Sequence, residues 1–212
     1  MIKTFLIMGT IRRFNLQEII DRYDSKVFVE TGTLYGDGVD YALGYSFEKV
    51  ISIEIEPELY EKAVKKYKGN DRVEIVLGDS SKVLDNLIKD IDNNIVYFLD
   101  AHFPGADSDM RTYDEVKKME FDTYAPLEKE MLSISKRAKK HKDVIIADDL
   151  WLYEEGNFGC GNMNDHARRH GQNITKEEII GHDASFAYEL FKETHKHKKF
   201  YPDQGYLVFY PL

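Results

Sequence analysis

Five stretches of the chain carry the short-period pattern of β-branched and apolar residues that marks a strand, and the intervals between them carry the longer period of a helix. The first strand enters at Val27 and runs through VFVE into a loop with glycines at 32, 36 and 38. KVISIEIE (49–56) alternates β-branched residues with acids, and RVEIVLGDS (72–80) repeats the pattern. NIVYFLDAH (94–102) is almost wholly apolar, as expected of a strand covered on both faces, and DVIIADDL (143–150) is the fifth. Apolar positions at 16, 19 and 20 predict a short amphipathic helix over 15–23, with a flap or an edge strand upstream of it. Further helices are predicted over Val39–Leu43 with Asp37 as N-cap, and after Pro57, which suits a helix start. Two more follow over Ser81–Lys89, with Val83, Leu84, Leu87 and Ile88 on one face, and from Pro126 to about Lys140.

Near the end, Asp183 or Ser185 is placed to cap a helix over Phe186–Thr194. KFYPDQGYLVFYPL then reads as strand, turn at Asp203-Gln204-Gly205, and strand. Strands alternating with helices predict an α/β fold: a Rossmann-like, doubly wound sheet, mostly parallel, with helices on both faces and an antiparallel C-terminal edge hairpin. Two long irregular stretches, 103–124 and 151–173, exceed ordinary connections and are expected to cover a site.

With 212 residues, 42% hydrophobic and 32% charged, the chain fits one soluble domain over 1–212. No window approaches the roughly 20 apolar residues of a membrane span, and no signal peptide is read at MIKTFLIMGTIRRF. The lone Cys160 cannot form an internal disulfide, so a cytoplasmic location is expected. A net charge of −9 argues against a nucleic-acid partner. The basic runs Lys136–Lys142 and His195–Lys199 read as solvated helix ends. Oligomeric state is left open, a homo-oligomer included.

Parallel sheets bind ligands beyond the carboxyl ends of their strands, which makes the first glycine loop the default cofactor site. A nicotinamide dinucleotide would want G-x-G-x-x-G, but here the spacing is G-x-x-x-G-x-G with Val39, Asp40 and Tyr41 following. Glu30 ahead of the loop would oppose a pyrophosphate and favour a cation such as a sulfonium or ammonium. Glu54, at the end of the second strand, is placed to accept from two ribose hydroxyls.

In ETGTLYGDG (30–38), SIEIEPELYEKA (52–63), LGDS (77–80) and FLDAH (98–102), the chain resembles the class I S-adenosylmethionine-dependent methyltransferases. Within them it is similar to catechol O-methyltransferase and its metal-dependent relatives. The resemblance implies that Glu30, Gly32, Thr33 and Gly36 surround the methionine part of S-adenosylmethionine, that Glu54 takes the ribose, and that Asp79 and Ser80 flank the adenine. Asp79 also reads as a plain helix cap.

Asp100 ends the fourth strand, and Asp148 and Asp149 end the fifth. If those strands are neighbours the carboxylates converge, and a hard divalent cation such as Mg²⁺ relieves their repulsion. The resemblance implies the same arrangement, so Asp100, Asp148 and Asp149 are the candidate ligands, although alternation along a strand opposes both members of the 148–149 pair facing one way. Asp100 and His102 are the candidate catalytic groups, with His102 as base. The lysine that the catechol enzymes carry three residues after the strand-end acid is replaced here by Phe103.

The expected reaction is methyl transfer to a hydroxyl of a small acceptor, sugar or natural-product-like. The alternatives are metal-independent O- or N-methyl transfer, a nucleoside-binding module without turnover, and a nicotinamide oxidoreductase. Cys160, His166 and His170 form a weak zinc pattern, and Trp151, Tyr153 and Phe158 offer either an aromatic wall over the acceptor or ordinary packing.

Overall fold

A computed structural model describes residues 10–106, 110–169 and 175–212, with the backbone alone at 113 and 166. A 3₁₀ turn, Ile11–Arg13, precedes α1 (Leu16–Tyr23) and β1 (Ser25–Thr31). Then follow α2 (Asp37–Leu43), β2 (Lys49–Glu54), α3 (Pro57–Lys66), β3 (Val73–Leu77), α4 (Ser80–Ile88) and β4 (Asn94–Leu99). Three helices, α5 (Tyr113–Val116), α6 (Phe121–Tyr124) and α7 (Leu127–Ser135), lead to β5 (Val144–Ala147). The chain closes with α8 (Met163–Arg169), α9 (Lys176–Ile179), α10 (Ser185–Phe191), β6 (His195–Phe200) and β7 (Tyr206–Pro211).

The strands form one seven-stranded sheet in the order β3-β2-β1-β4-β5-β7-β6. Neighbours among β1 to β5 run parallel, and β7 joins antiparallel to both β5 and β6. The predicted architecture is therefore present, edge hairpin included. Side-chain alternation divides the core into two layers. Val27, Val29, Ile51, Ile95, Tyr97 and Ile145 face α4, α7 and α10, while Phe28, Val50, Val96, Phe98 and Ile146 face α1, α2 and α3. Among the described residues no helix is long and apolar enough to cross a membrane.

Several boundaries differ from the sequence expectation, each for a local reason. Gly36 and not Asp37 is the N-cap of α2, because the cap backbone sits at φ +81°, a left-handed value that glycine adopts without a Cβ penalty. Asp37 becomes the first helical residue. β5 stops at Ala147, short of the acids that follow it. The run His195–Lys199 is no helix end but edge strand β6: His195 is buried, whereas Lys196, His197 and Lys198 are exposed. Lysines on an edge strand keep its unpaired backbone in water.

Arg137, just past α7, supplies the buried tie that the sequence did not reveal. Its Nε donates to Asp143 Oδ2 at 2.7 Å, and its remaining nitrogens donate to the carbonyl oxygens of Ile88, Ile91 and Asn93. Asp143 Oδ1 accepts from the Ile95 backbone N–H at 2.8 Å, and His195 Nε2 lies 2.9 Å from the Asp143 carbonyl oxygen. One ion pair thus joins the end of α4 to the starts of β4, β5 and β6. Removing one member of such a pair leaves a buried, uncompensated charge. Arg137→Ala is accordingly expected to cost about 3–5 kcal/mol in urea unfolding, whereas Lys62→Ala, which breaks the exposed pair with Glu58, leaves the midpoint where it is. A small loss for Arg137→Ala would show that the tie is dispensable.

Candidate active site

Strand order reverses between β1 and β4, so the loops leaving these strands part and open a crevice. A cavity of about 480 Å³ lies there, and Glu30, Gly32, Glu54, Asp79, Ser80, Asp100, His102 and Asp149 all line it. Most of the predicted site residues, spread over more than half the chain, meet in this one space.

The loop after β1 is shaped by close approaches. Gly32 has φ +86°, and a Cβ there would stand 3.0 Å from the Asp100 carbonyl oxygen. Its N–H donates to the Ile53 carbonyl at 2.9 Å. At Gly38, in the first turn of α2, a Cβ would fall 1.7 Å from Glu30 Oε1. Glu30 is thus buried under the start of the helix, where the Ser52 hydroxyl donates to its Oε2 at 2.6 Å. Burial pushes the Glu30 pKa up to about 8, only partly offset by that hydrogen bond. Glu30, which the sequence presents as a carboxylate favouring a cation, thus sits where burial favours its neutral acid form.

Thr33 and Gly36 do not line the cavity. The Thr33 hydroxyl lies 2.7 Å from Ser52 Oγ, and Gly36 accepts from the Tyr67 hydroxyl through its carbonyl at 2.8 Å. Both shape the loop from behind. Glu54 is held by backbone donors, with the Leu34 N–H on Oε2 at 2.8 Å and the Glu56 N–H on Oε1 at 2.9 Å. Each carboxylate oxygen keeps a further acceptor site for a ligand hydroxyl. Leu34 itself takes φ +47° to reach Glu54.

Asp79 both lines the cavity and caps α4, accepting from the Ser81 N–H at 3.0 Å and from the Thr123 hydroxyl at 2.6 Å. Burial alone would raise its pKa, but the hydrogen bonds from Ser81 and Thr123, with Lys82 beside them, hold it below the usual value. Ser80 is buried next to Glu130 of α7, a residue for which the sequence offered no signal. Glu130 Oε1 has no hydrogen-bond partner among the described residues, and burial pushes the pKa of its carboxyl up to about 7 against hydrogen bonds from Ser80 and Thr31.

At the far end, β4 and β5 are neighbours with Leu99 beside Ala147, which sets Asp100 next to Asp148. The expected trio of ligands is not what assembles. Asp148 turns inward: its Oδ1 accepts from the Asp149 N–H at 2.8 Å, its Oδ2 is buried without a partner among the described residues, and it does not line the cavity. Asp149, with φ +56°, swings the other way, and its Oδ2 lies 2.8 Å from His102 Nε2. The cluster with metal-ligand spacing is Asp100, His102 and Asp149, whose donor atoms lie within 4.8 Å of one another. Asp149 is buried, and its Oδ1 has no partner among the described residues. The Asp100 pKa is raised well above the usual carboxylate range, by burial first and by the charge of Asp148 next, with His102 opposing.

Trp151, Tyr153 and Phe158 pack against the α4–α7–α10 layer of the core and do not line the cavity, so the aromatic-wall reading gives way to packing. The Cys160 thiol donates to the Asp203 carbonyl at 3.0 Å. The zinc reading, which needs His166 and His170, lies outside the described residues.

No protein-family model matches the sequence, and no curated relative matches it. Solved structures do match. A methyltransferase of Podospora anserina, bound to S-adenosylhomocysteine, is 17% identical with a TM-score of 0.57, over 92% of this chain and 75% of that one. A Staphylococcus aureus protein described as a caffeoyl-CoA O-methyltransferase is 16% identical with a TM-score of 0.55, over 97% and 85%. A Bacillus cereus O-methyltransferase in complex with S-adenosylhomocysteine is 17% identical with a TM-score of 0.51, over 92% and 78%. At these identities the likeness is one of fold.

Two consequences are measurable. Gly→Ala within a helix ordinarily stabilises, but Gly38→Ala is expected to destabilise by about 1–3 kcal/mol. Most of that loss should vanish in a Glu30→Ala background, where the clash is gone; an equal cost in both backgrounds would place the strain elsewhere. A carboxyl whose pKa is higher folded than unfolded binds more protons in the folded state, so its contribution to stability falls as pH rises between the two values. For Glu130 that window runs from about 4.5 to about 7. Glu130→Gln should therefore gain on the wild type by something on the order of 3 kcal/mol between pH 4.5 and 8, and parallel unfolding profiles would contradict this.

Proposed function

We propose that this chain, whose fold is that of the class I S-adenosylmethionine-dependent methyltransferases, moves a methyl group from S-adenosylmethionine to a hydroxyl of a small acceptor, sugar or natural-product-like, with a divalent cation such as Mg²⁺ at Asp100, His102 and Asp149. The observation that carries this reading is the continuity of one cavity from Glu54 and Asp79 at one end, through the Gly32 loop, to the three clustered donors at the other.

S-Adenosylmethionine supplies an electrophilic methyl group on a sulfonium. A divalent cation, when bound, lowers the pKa of the acceptor hydroxyl and orients it. The donor set fits a hard or borderline ion, with two carboxylates and one imidazole, and the buried Asp149 Oδ1, without a partner among the described residues, supports it. The protein's own contribution is placement. Glu54 and the backbone around Gly32 fix the donor, and Phe103 and Pro104 wall the reacting end with apolar surface.

The His102–Asp149 contact favours a second, metal-independent reading. There, Asp149 Oδ2 accepts from the Nε2–H of His102, and Nδ1 is the base that takes the proton of the acceptor hydroxyl as the O–C bond forms and the S–C bond breaks, with Asp149 stabilising the imidazolium. A cytoplasmic setting without a nucleic-acid partner belongs to the same proposal.

Thermal unfolding with S-adenosylmethionine, S-adenosylhomocysteine, NAD and NADP, each with Mg²⁺ or chelator, tests the reading. The adenosyl pair should stabilise by about 2.7 kcal/mol at a hundred times Kd, and stabilisation by NAD alone would sink it. Asp100→Asn should abolish calorimetric Mn²⁺ binding while leaving S-adenosylhomocysteine affinity intact. If the wild type binds no Mn²⁺, the His102 reading takes its place.

A further inference from the structure

The charges lining the cavity are lopsided. Glu30, Asp37, Glu54, Asp79, Asp100 and Asp149 contribute six carboxyl groups, and among the described residues Arg12 is the only lysine or arginine that joins them. Other cations near the cavity are already engaged. Lys66 binds Asp40 at 2.6 Å, Lys82 binds Glu120 at 2.8 Å and Asp79 at 3.1 Å, Arg111 binds Glu56, and the Nε of Arg13 donates to Asp203 at 2.7 Å. Arg12 makes no ion pair among the described residues. Its guanidinium sits 5.3 Å from the ring centroid of Tyr41, one turn along α2 from Asp37.

That position decides which ligand group Arg12 can meet. Tyr41 belongs to α2, whose first turn covers Glu30 through Gly38. Arg12 therefore stands on the β1–α2 side of the cavity, away from Glu54 and Asp79 after β2 and β3, and away from His102 and Asp149 after β4 and β5. On the methyltransferase reading this is the methionyl side. The amino-acid end of the donor carries an ammonium and a carboxylate, and with Asp37 lining the same side of the cavity the carboxylate gains from a cation that meets it. A guanidinium offers two parallel donors that match a carboxylate and stays charged at every working pH.

We propose that Arg12 is the anion-binding residue of this cavity and pairs with the carboxylate of the methionyl end of the donor and of its product. The inference rests on the methyltransferase reading and extends it to a residue of the 3₁₀ turn Ile11–Arg13. That turn is anchored by the Tyr206 hydroxyl, which accepts from the Thr10 N–H at 2.7 Å. Closing the cavity on that side thus brings the missing positive charge with it.

Calorimetric titration of the full chain with S-adenosylhomocysteine, and with its decarboxylated analogue, which keeps the amine and lacks the carboxylate, tests this directly. Arg12→Ala should weaken S-adenosylhomocysteine about ten- to a hundredfold, the loss expected for a charge-assisted hydrogen bond, and leave the decarboxylated analogue's affinity as in the wild type. Arg12→Lys should recover part of the loss. The analogue serves as the control for folding. An equal effect on both ligands, or none on either, overturns the role of Arg12 and leaves the methyltransferase reading standing. A wild type that binds neither ligand overturns that reading itself, and the Arg12 proposal with it.

Discussion

The carboxyl group of Glu30 is the fixed point around which the cavity is built. It stands in β1 one residue before the strand ends, it is buried under the first turn of α2, and it is reached by a hydroxyl from the neighbouring strand β2. A helix can sit so close to a strand-end side chain only because residue 38 has no Cβ. With α2 seated there, Gly32 is pressed against the Asp100 carbonyl, and the Leu34 N–H can reach Glu54. The distances that define the pocket follow from this one fit. Burial of Glu30 also favours the neutral acid, against the hydrogen bond from Ser52 that favours the carboxylate.

The reacting end is built on the opposite principle. There no tight seat exists, only acids that repel one another at the ends of adjacent parallel strands. The protein separates them by backbone geometry. Asp148 continues the strand's alternation into the interior, while Asp149, in a left-handed conformation, turns its side chain to His102. An imidazole thereby takes the place that a second carboxylate of the pair was expected to hold. The buried oxygens of Asp148 and Asp149 that find no partner among the described residues carry a desolvation cost, one that a bound cation would relieve at Asp149.

What the sequence conveyed about all this depended on how local the signal was. The sheet and its helices were legible because side-chain periods of 2 and 3.6 register directly in the order of residues. The glycine loop was legible because close approach leaves glycine little competition, Glu54 and Asp100 followed from their places at strand ends, and Asp79 came from the resemblance carried by LGDS. The division of labour between Asp148 and Asp149 was not, since it rests on a single backbone angle that neither residue announces. Glu130 and Arg12 carry no local pattern: one sits on a helix about fifty positions after Asp79, the other in a turn ahead of the first strand, and only the folded chain brings Glu130 beside Ser80 and Arg12 to the cavity. The tie of Arg137 to Asp143 was hidden for a related reason, because it looks like one more cation in a basic run.

The lysine-rich strand β6 bears on how this molecule could meet another copy of itself. Sheet proteins often associate by placing the same edge of two subunits side by side across a two-fold axis, which would set Lys196 and Lys198 of one copy against those of the other. Such a join would bring like charges face to face while burying backbone that water now solvates. The opposite margin of the sheet is different: β3 carries the sequence VEIVL, with Leu77 exposed and its one acid, Glu74, already neutralised by Lys49. The two margins of the sheet therefore differ in charge: lysines guard the β6 edge, and the β3 edge lacks such a guard.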